Sequence, residues 1–127
     1  MGCDIHAAIE YHEYSDDHWD TFALLGSEPR WYALFGALTD GEVRGQQPEG
    51  HPKIAPRGFP DNAGWETRDE FEDDGSDAHT PSWVTPDEFA QALTACGEEE
   101  HYWPTVLATM RELEKKWPTR LVFWFDN

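Results

Sequence analysis

The residues best suited to chemistry in this sequence are two copies of the pattern Asp-x-His, Asp4-Ile5-His6 and Asp77-Ala78-His79. On a β-strand, residues two apart project from the same face about 7 Å from one another, so each copy would set a carboxylate beside an imidazole. Converged, the two copies offer two carboxylates and two imidazoles. That set suits a divalent ion such as Zn²⁺ or Mn²⁺, or two histidines acting as acid and base, each oriented by an acid. Asp4, His6, Asp77 and His79 are therefore both the candidate metal ligands and the candidate catalytic groups. In a chain with 26 Asp+Glu and six His, a single copy would mean little. Two copies carry weight because one lies in a patterned strand and the other enters a loop before a capped helix.

Polar and aromatic groups near the second copy extend the candidate site. In His79-Thr80-Pro81-Ser82-Trp83 a hydroxyl follows the imidazole and Trp83 offers a stacking wall. The His-x-Ser/Thr of two-histidine phosphoesterases is excluded by Pro81, and no GxSxG context marks Ser82 as a nucleophile. Ser82 reads first as a hydrogen-bonding or capping group. Arg57, between Pro56 and Gly58, and Arg44, beside Gly45, are two of six arginines, and each could grip a phosphate or carboxylate. Arg44, Arg57, Ser82 and Trp83 are the candidate ligand-binding residues, although pairing with a neighbouring acid is the simpler fate for any one Arg here. Trp31 and Tyr32 read as core, Cys3 turns to the face opposite Asp4, and His12, His18 and His101 read as surface or packing histidines.

These groups need elements to hold them. Cys3, Ile5, Ala7, Ile9 and Tyr11 alternate with Asp4, His6, Ala8, Glu10 and His12, the period of a half-buried strand. Ser15-Asp16-Asp17 supplies turn chemistry, and residues 19–25 return as a second strand. Ser27 caps a short helix with Pro29 in its first turn and Trp31, Leu34, Phe35 and Leu38 on its apolar side. From Thr39 to Gly75 periodicity is lost, and a structureless stretch that long is usually functional or disordered. Its Phe59, Trp65 and Phe71 predict a packed functional loop, with the acids of residues 61–77 a solvated face. Thr85-Pro86-Asp87-Glu88 is a capping box with Pro at the first helical position, and Phe89, Ala92, Leu93 and Cys96 form the buried stripe before Gly97. Pro104 opens another helix, carrying Val106, Leu107, Met110, Leu113 and Trp117 and stopped by Pro118. Leu121 to Phe125 is a strand-length apolar run suited to a central position. The expected fold is a single α+β domain over residues 1–127: a small antiparallel or mixed sheet of three or more strands, helices on one face, and a long irregular functional loop.

Composition narrows the functions. The 127 residues carry nine Lys+Arg and a formal charge of −17, which disfavours duplex nucleic-acid binding because counterion release needs a cationic face. Hydrophobic residues at 39% and seven Trp exclude a disordered acidic tail. Cys3 and Cys96 make no CxxC and no disulfide framework. No signal-like segment opens the sequence and no apolar run approaches the ~18 residues of a membrane span. Gly2 begins a myristoylation pattern that fails at His6. The expectation is a soluble protein of a reducing cytoplasm with no membrane partner.

Several stretches together resemble a family of small phage and prophage proteins that begin Met-Gly-Cys-Asp-Ile-His. The matching residues are Gly2-Cys3-Asp4-Ile5-His6, Arg30-Trp31-Tyr32-Ala33-Leu34-Phe35, Val43-Arg44-Gly45, Pro56-Arg57-Gly58-Phe59-Pro60-Asp61, Asp77-Ala78-His79-Thr80-Pro81-Ser82-Trp83 and residues 121–127. Relatives usually carry Asn where this chain has Trp31, often Leu at Phe59, and Ser at Thr80. The likeness spans nearly the whole chain and implies a phage context in the cytoplasm of a bacterial host, with no particular activity.

Three functions follow as expectations. The foremost is hydrolysis of a nucleotide or other phosphoester, with Asp4, His6, Asp77 and His79 holding a divalent metal or running acid/base catalysis and Arg44 and Arg57 on the phosphate. A metal would also offset the charge that repels an anionic substrate. The second keeps the pocket without turnover, as a sponge for a nucleotide signal of host defence. The third is an acidic decoy that mimics nucleic acid and occupies a nucleic-acid-binding groove of a host protein, for which a host defence protein is a candidate partner.

Overall fold

A computed structural model describes residues 2–26, 30–97 and 102–127. The alternating N-terminal segment forms β1 (Asp4–Tyr11), which returns through an acidic turn into β2 (Asp20–Leu25). The apolar run forms β4 (Thr119–Asp126), and β3 (His79–Val84) pairs on its far side. The four strands lie in the order β2-β1-β4-β3 and every pairing is antiparallel. β4 is central, as its near-continuous apolar sequence requires, because both of its faces must be covered.

The register puts Ile5 opposite Phe125, Ala7 opposite Phe123 and Ile9 opposite Leu121. This face carries the main core. α1 (Tyr32–Thr39), α3 (Pro86–Cys96) and α4 (Tyr102–Glu114) supply Leu34, Phe35, Phe89, Trp103 and Met110 to it. The capping box at Thr85 is complete: Thr85 Oγ1 accepts from Glu88 N–H at 3.2 Å and Glu88 Oε1 from Thr85 N–H at 2.9 Å. Gly97, at φ 82°, ends α3. Ser27 and Pro29, expected to start α1, lie outside the described residues, as do Glu98–Glu100 and His101; within them, α1 begins after Trp31 with no side-chain cap. No helix among the described residues is long and apolar enough to cross a membrane.

The α+β fold with its antiparallel sheet is as the sequence predicts, while the second face of the sheet differs. Ala8 and Glu10, expected to point away from the core, are fully buried. The cause is a ten-residue helix, α2 (Trp65–Asp74), inside the stretch read as aperiodic. α2 lies against β2 and β4 on the face opposite the other three helices: Thr67 Oγ1 meets Thr21 Oγ1 at 2.7 Å, and Phe71 packs on Trp124 at 5.3 Å between ring centroids. Its sequence has no apolar stripe, only Thr67 and Phe71 spaced for one face, so it forms because the sheet and the preceding turn hold it. β3 was also unforeseen as a strand. Pro81 sits within it because β3 is an edge, where the missing N–H leaves no ladder bond unmade, and a bulge between His79 and Ser82 accommodates Thr80 at φ 53°.

One buried ion pair joins the two layers. Glu10 on β1 and Arg120, opposite it on β4, are 0% and 5% exposed. Arg120 donates to Glu10 Oε1 through Nε at 2.9 Å and Nη2 at 2.7 Å, and to Asn62 Oδ1 at 3.1 Å. Glu10 Oε2 accepts the Gly64 N–H at 2.8 Å, and Gly64 lies so close to β2 that a Cβ there would meet Thr21 Oγ1 at 2.3 Å. This contact docks the start of α2. Removing one partner of a buried pair leaves an uncompensated charge, so Glu10→Leu is expected to cost about 3–5 kcal/mol in urea denaturation. Glu10→Leu with Arg120→Met is expected to recover most of that loss; a double variant no more stable than Glu10→Leu would contradict this account.

Candidate functional site

At the end of the sheet where β1 begins and β4 finishes, three polar side chains converge. His6 projects from β1 toward α2, beside Trp124, its cross-strand partner on β4. The imidazole stacks on the indole with ring centroids 5.8 Å apart and planes 12° from parallel. His6 Nε2 lies 2.6 Å from Asp126 Oδ2 and 3.6 Å from Asp74 Oδ2. Asp74 is the last residue of α2, and its Oδ2 also accepts the Trp124 Nε1–H at 2.6 Å. Phe59 stacks on Phe71 with centroids 4.2 Å apart, and both meet Trp124 edge to face, so a small aromatic cluster fixes the end of α2 over the sheet.

His6, Asp74 and Asp126 each offer one ligand atom, and the three atoms lie within 4.8 Å of one another. Among the described residues this is the one His/Cys/Asp/Glu group so disposed. Its side chains are 24–32% exposed, open enough for water or a small ligand to reach them. One imidazole and two carboxylates form a donor set suited to Mn²⁺ or Zn²⁺, and the Trp124 donor orients one carboxylate from behind.

Of the first Asp-x-His copy, then, His6 joins the cluster while Asp4 has another partner. Arg30 holds Asp4 bidentately, Nε to Oδ1 at 2.7 Å and Nη2 to Oδ2 at 3.2 Å, and this bond keeps the Asp4 carboxyl below the usual range. The guanidinium rests against Gly2, where a Cβ would meet Arg30 Nη1 at 2.0 Å. The second copy is split. Asp77 is exposed in the short 3₁₀ turn Gly75–Asp77, and His79 bonds Thr80 Oγ1 at 2.9 Å and Asn127 Oδ1 at 3.1 Å. His79 pairs with Phe125, immediately before Asp126, so it stands at the same end of the sheet one strand beyond β4. Cys3 is buried in the core beside these charges, and burial pushes its thiol pKa up.

The other candidate ligand-binding residues occupy two places. Arg44, at φ 64°, lies over the Tyr32 ring at 4.1 Å, and the Tyr32 hydroxyl accepts the Cys3 N–H. Arg57, Ser82 and Trp83 form a unit of their own. Arg57 donates to both Glu88 oxygens at 2.8 Å and to Trp83 O at 3.0 Å, lies 4.3 Å from the Trp83 ring centre, and gives its backbone N–H to Ser82 Oγ. Arg57 thus ties the Pro56–Pro60 turn to the start of α3.

No protein-family model, curated protein or solved structure matches this chain. Its site is read from its own geometry.

Asp74 and Asp126 were missed in the sequence. Asp74 hid among eight acids in residues 61–77, most simply a solvated face. The signal was the spacing Thr67, Phe71, Asp74, which puts all three on one side of a helix. Asp126 closes an apolar run, and only the β1/β4 register brings it beside His6.

The Arg57–Glu88 bond sets an acid limit on stability. Arg57 holds the Glu88 carboxyl below its ordinary value of 4.5. A depressed carboxylate adds stability above that ordinary value and loses it as pH falls through the folded one. Glu88→Gln should cost about 1–2 kcal/mol at pH 7. The gap in thermal midpoint from the parent should hold from pH 7 down to about the ordinary Glu88 value and shrink only as pH falls below it.

Proposed function

We propose that this protein is a metal-dependent hydrolase of a nucleotide or other small phosphoester, with His6, Asp74 and Asp126 as the metal ligands. The observation that carries this reading is the convergence of one imidazole and two carboxylates within 4.8 Å at a half-exposed end of the sheet. His6, Asp74 and Asp126 would hold the ion, which would offset two carboxylates in a chain of charge −17 and supply an activated water as nucleophile.

Groups around the cluster support a phosphoester in particular. Arg30, half-exposed, is braced by Asp4, which shares a face of β1 with His6 and stands opposite Asp126 on β4, and Arg44 is exposed over Tyr32. Guanidinium groups bind phosphate oxygens bidentately. His79 at the same end is the candidate proton donor to the leaving group. In the phage context that the resemblance implies, a nucleotide signal of host defence is the substrate we propose to test first.

Titration calorimetry with Mn²⁺ and Zn²⁺, paired with phosphate release from a panel of mono- and cyclic nucleotides, tests the reading. The parent protein should bind about one ion and turn over at least one phosphoester. His6→Ala should lose both, and His79→Ala should bind metal normally yet lose about 10²-fold or more in turnover. Metal bound equally well by His6→Ala removes the site, and metal binding with every phosphoester intact removes the hydrolase.

A further inference from the structure

At the opposite end of the same strands a groove of about 590 Å³ lies between Trp19, Trp83 and Trp117, with Pro86 and Pro118 in its walls and Arg120 beneath. Glu10, the partner of Arg120, is four residues along β1 from His6, so the groove stands roughly 13 Å from the candidate metal ligands. Its size falls within the range of small-ligand sites.

We propose that this groove binds a nucleobase, carried on a nucleoside or a mononucleotide. The indoles are held rigidly. Trp19 stacks on His12, with centroids 5.3 Å apart, and has the Arg120 guanidinium 4.0 Å from its ring centre. Trp83 is held by Arg57, and Trp117 packs on Tyr11 at 5.0 Å. Fixed indoles provide apolar, polarisable walls that favour a flat ring whatever its sequence of ring atoms.

The polar groups narrow the class. Arg120 is only 5% exposed, and its Nε and Nη2 are engaged by Glu10 and Asn62. Its Nη1 donates in none of the hydrogen bonds among the described residues, and it is not among the polar atoms sealed from solvent without a partner. An Arg nitrogen can only donate, so the ligand edge that reaches it must accept, as a ring nitrogen or ring carbonyl of a base does. Of the other charged groups lining the groove, Glu114 is engaged by Arg111, while Lys116 lies near the Trp117 ring. Lys116 stands where it can meet a phosphate attached to the base. None of these residues belongs to the metal cluster, so a failed metal titration leaves this proposal standing.

Titration calorimetry with adenosine, guanosine, cytidine and uridine, their 5′-monophosphates and ribose 5-phosphate tests this, alongside the indole N–H signals of the seven Trp in NMR spectra. At least one base should bind with a dissociation constant below about 1 mM. It should shift the Trp19, Trp83 and Trp117 signals and leave those of Trp31 and Trp65 in place. Trp117→Leu should weaken binding about tenfold or more. A monophosphate that binds more tightly than its nucleoside, with the advantage lost in Lys116→Ala, identifies the nucleotide as the ligand; equal binding identifies the nucleoside. Absence of saturable binding by every base, equal binding of ribose 5-phosphate, or shifts at Trp31 and Trp65 instead would overturn the proposal. The NMR result stands even if Trp117→Leu fails to fold.

Discussion

A carboxylate and a guanidinium in the middle of a sheet need each other and cannot be satisfied from one side. Glu10 spends one oxygen on Arg120 and the other on the Gly64 backbone, while Arg120 also reaches Asn62. The pair therefore demands a lid, and the lid is the segment that leads into α2. Burial pulls the Arg120 pKa down and the adjacent Glu10 charge pulls it back. Buried pairs are poor sources of net stability but strict enforcers of arrangement. Here the enforced arrangement is the register of α2 on the sheet, and with it the position of Asp74.

The two candidate sites depend on that same constraint from opposite ends. Toward the start of β1, the aromatic cluster of Phe59, Phe71 and Trp124 carries the geometry from the docked segment to His6, Asp74 and Asp126. Toward the start of β4, Arg120 itself forms the bottom of the tryptophan groove. One strand pair thus supplies His6 and Glu10 at alternate positions on β1, and Trp124 and Arg120 at alternate positions on β4. The period-2 alternation that gave β1 its apolar face also gave it a second face, the one that carries His6 and Glu10.

That second face marks where sequence reasoning stopped. β1, β4, α3 and α4 were legible because each carries its own signal: alternation, an apolar β-forming run, a capping box, a helical stripe. α2 was not, because its helix is a consequence of docking and its only marks are Thr67 and Phe71. Charge abundance blurred the rest. Twenty-six acids make each one look solvated, so neither the burial of Glu10 nor the inward turn of Asp74 stood out. Arg57 was singled out for its Pro/Gly setting, which proved to mark a turn anchored to α3 through Glu88. Of the first Asp-x-His copy, His6 was recognised from its place on the strand, whereas its carboxylate neighbours come from distant elements that only tertiary pairing unites.

The pairing of β1 with β4 has a consequence in time. Glu10 and Arg120 stand 110 positions apart, and β4, which completes the sheet between β1 and β3, follows both of them in the chain. Until it joins them, β1 and β2 form only a hairpin with one long side uncovered, β3 has no neighbour, and α2 has no platform. Loop closure across that distance then comes before any reward from the central strand. Closing the sheet is consequently a long-range step, and the strong mutual repulsion of so acidic a chain keeps incompletely folded copies apart until it is made.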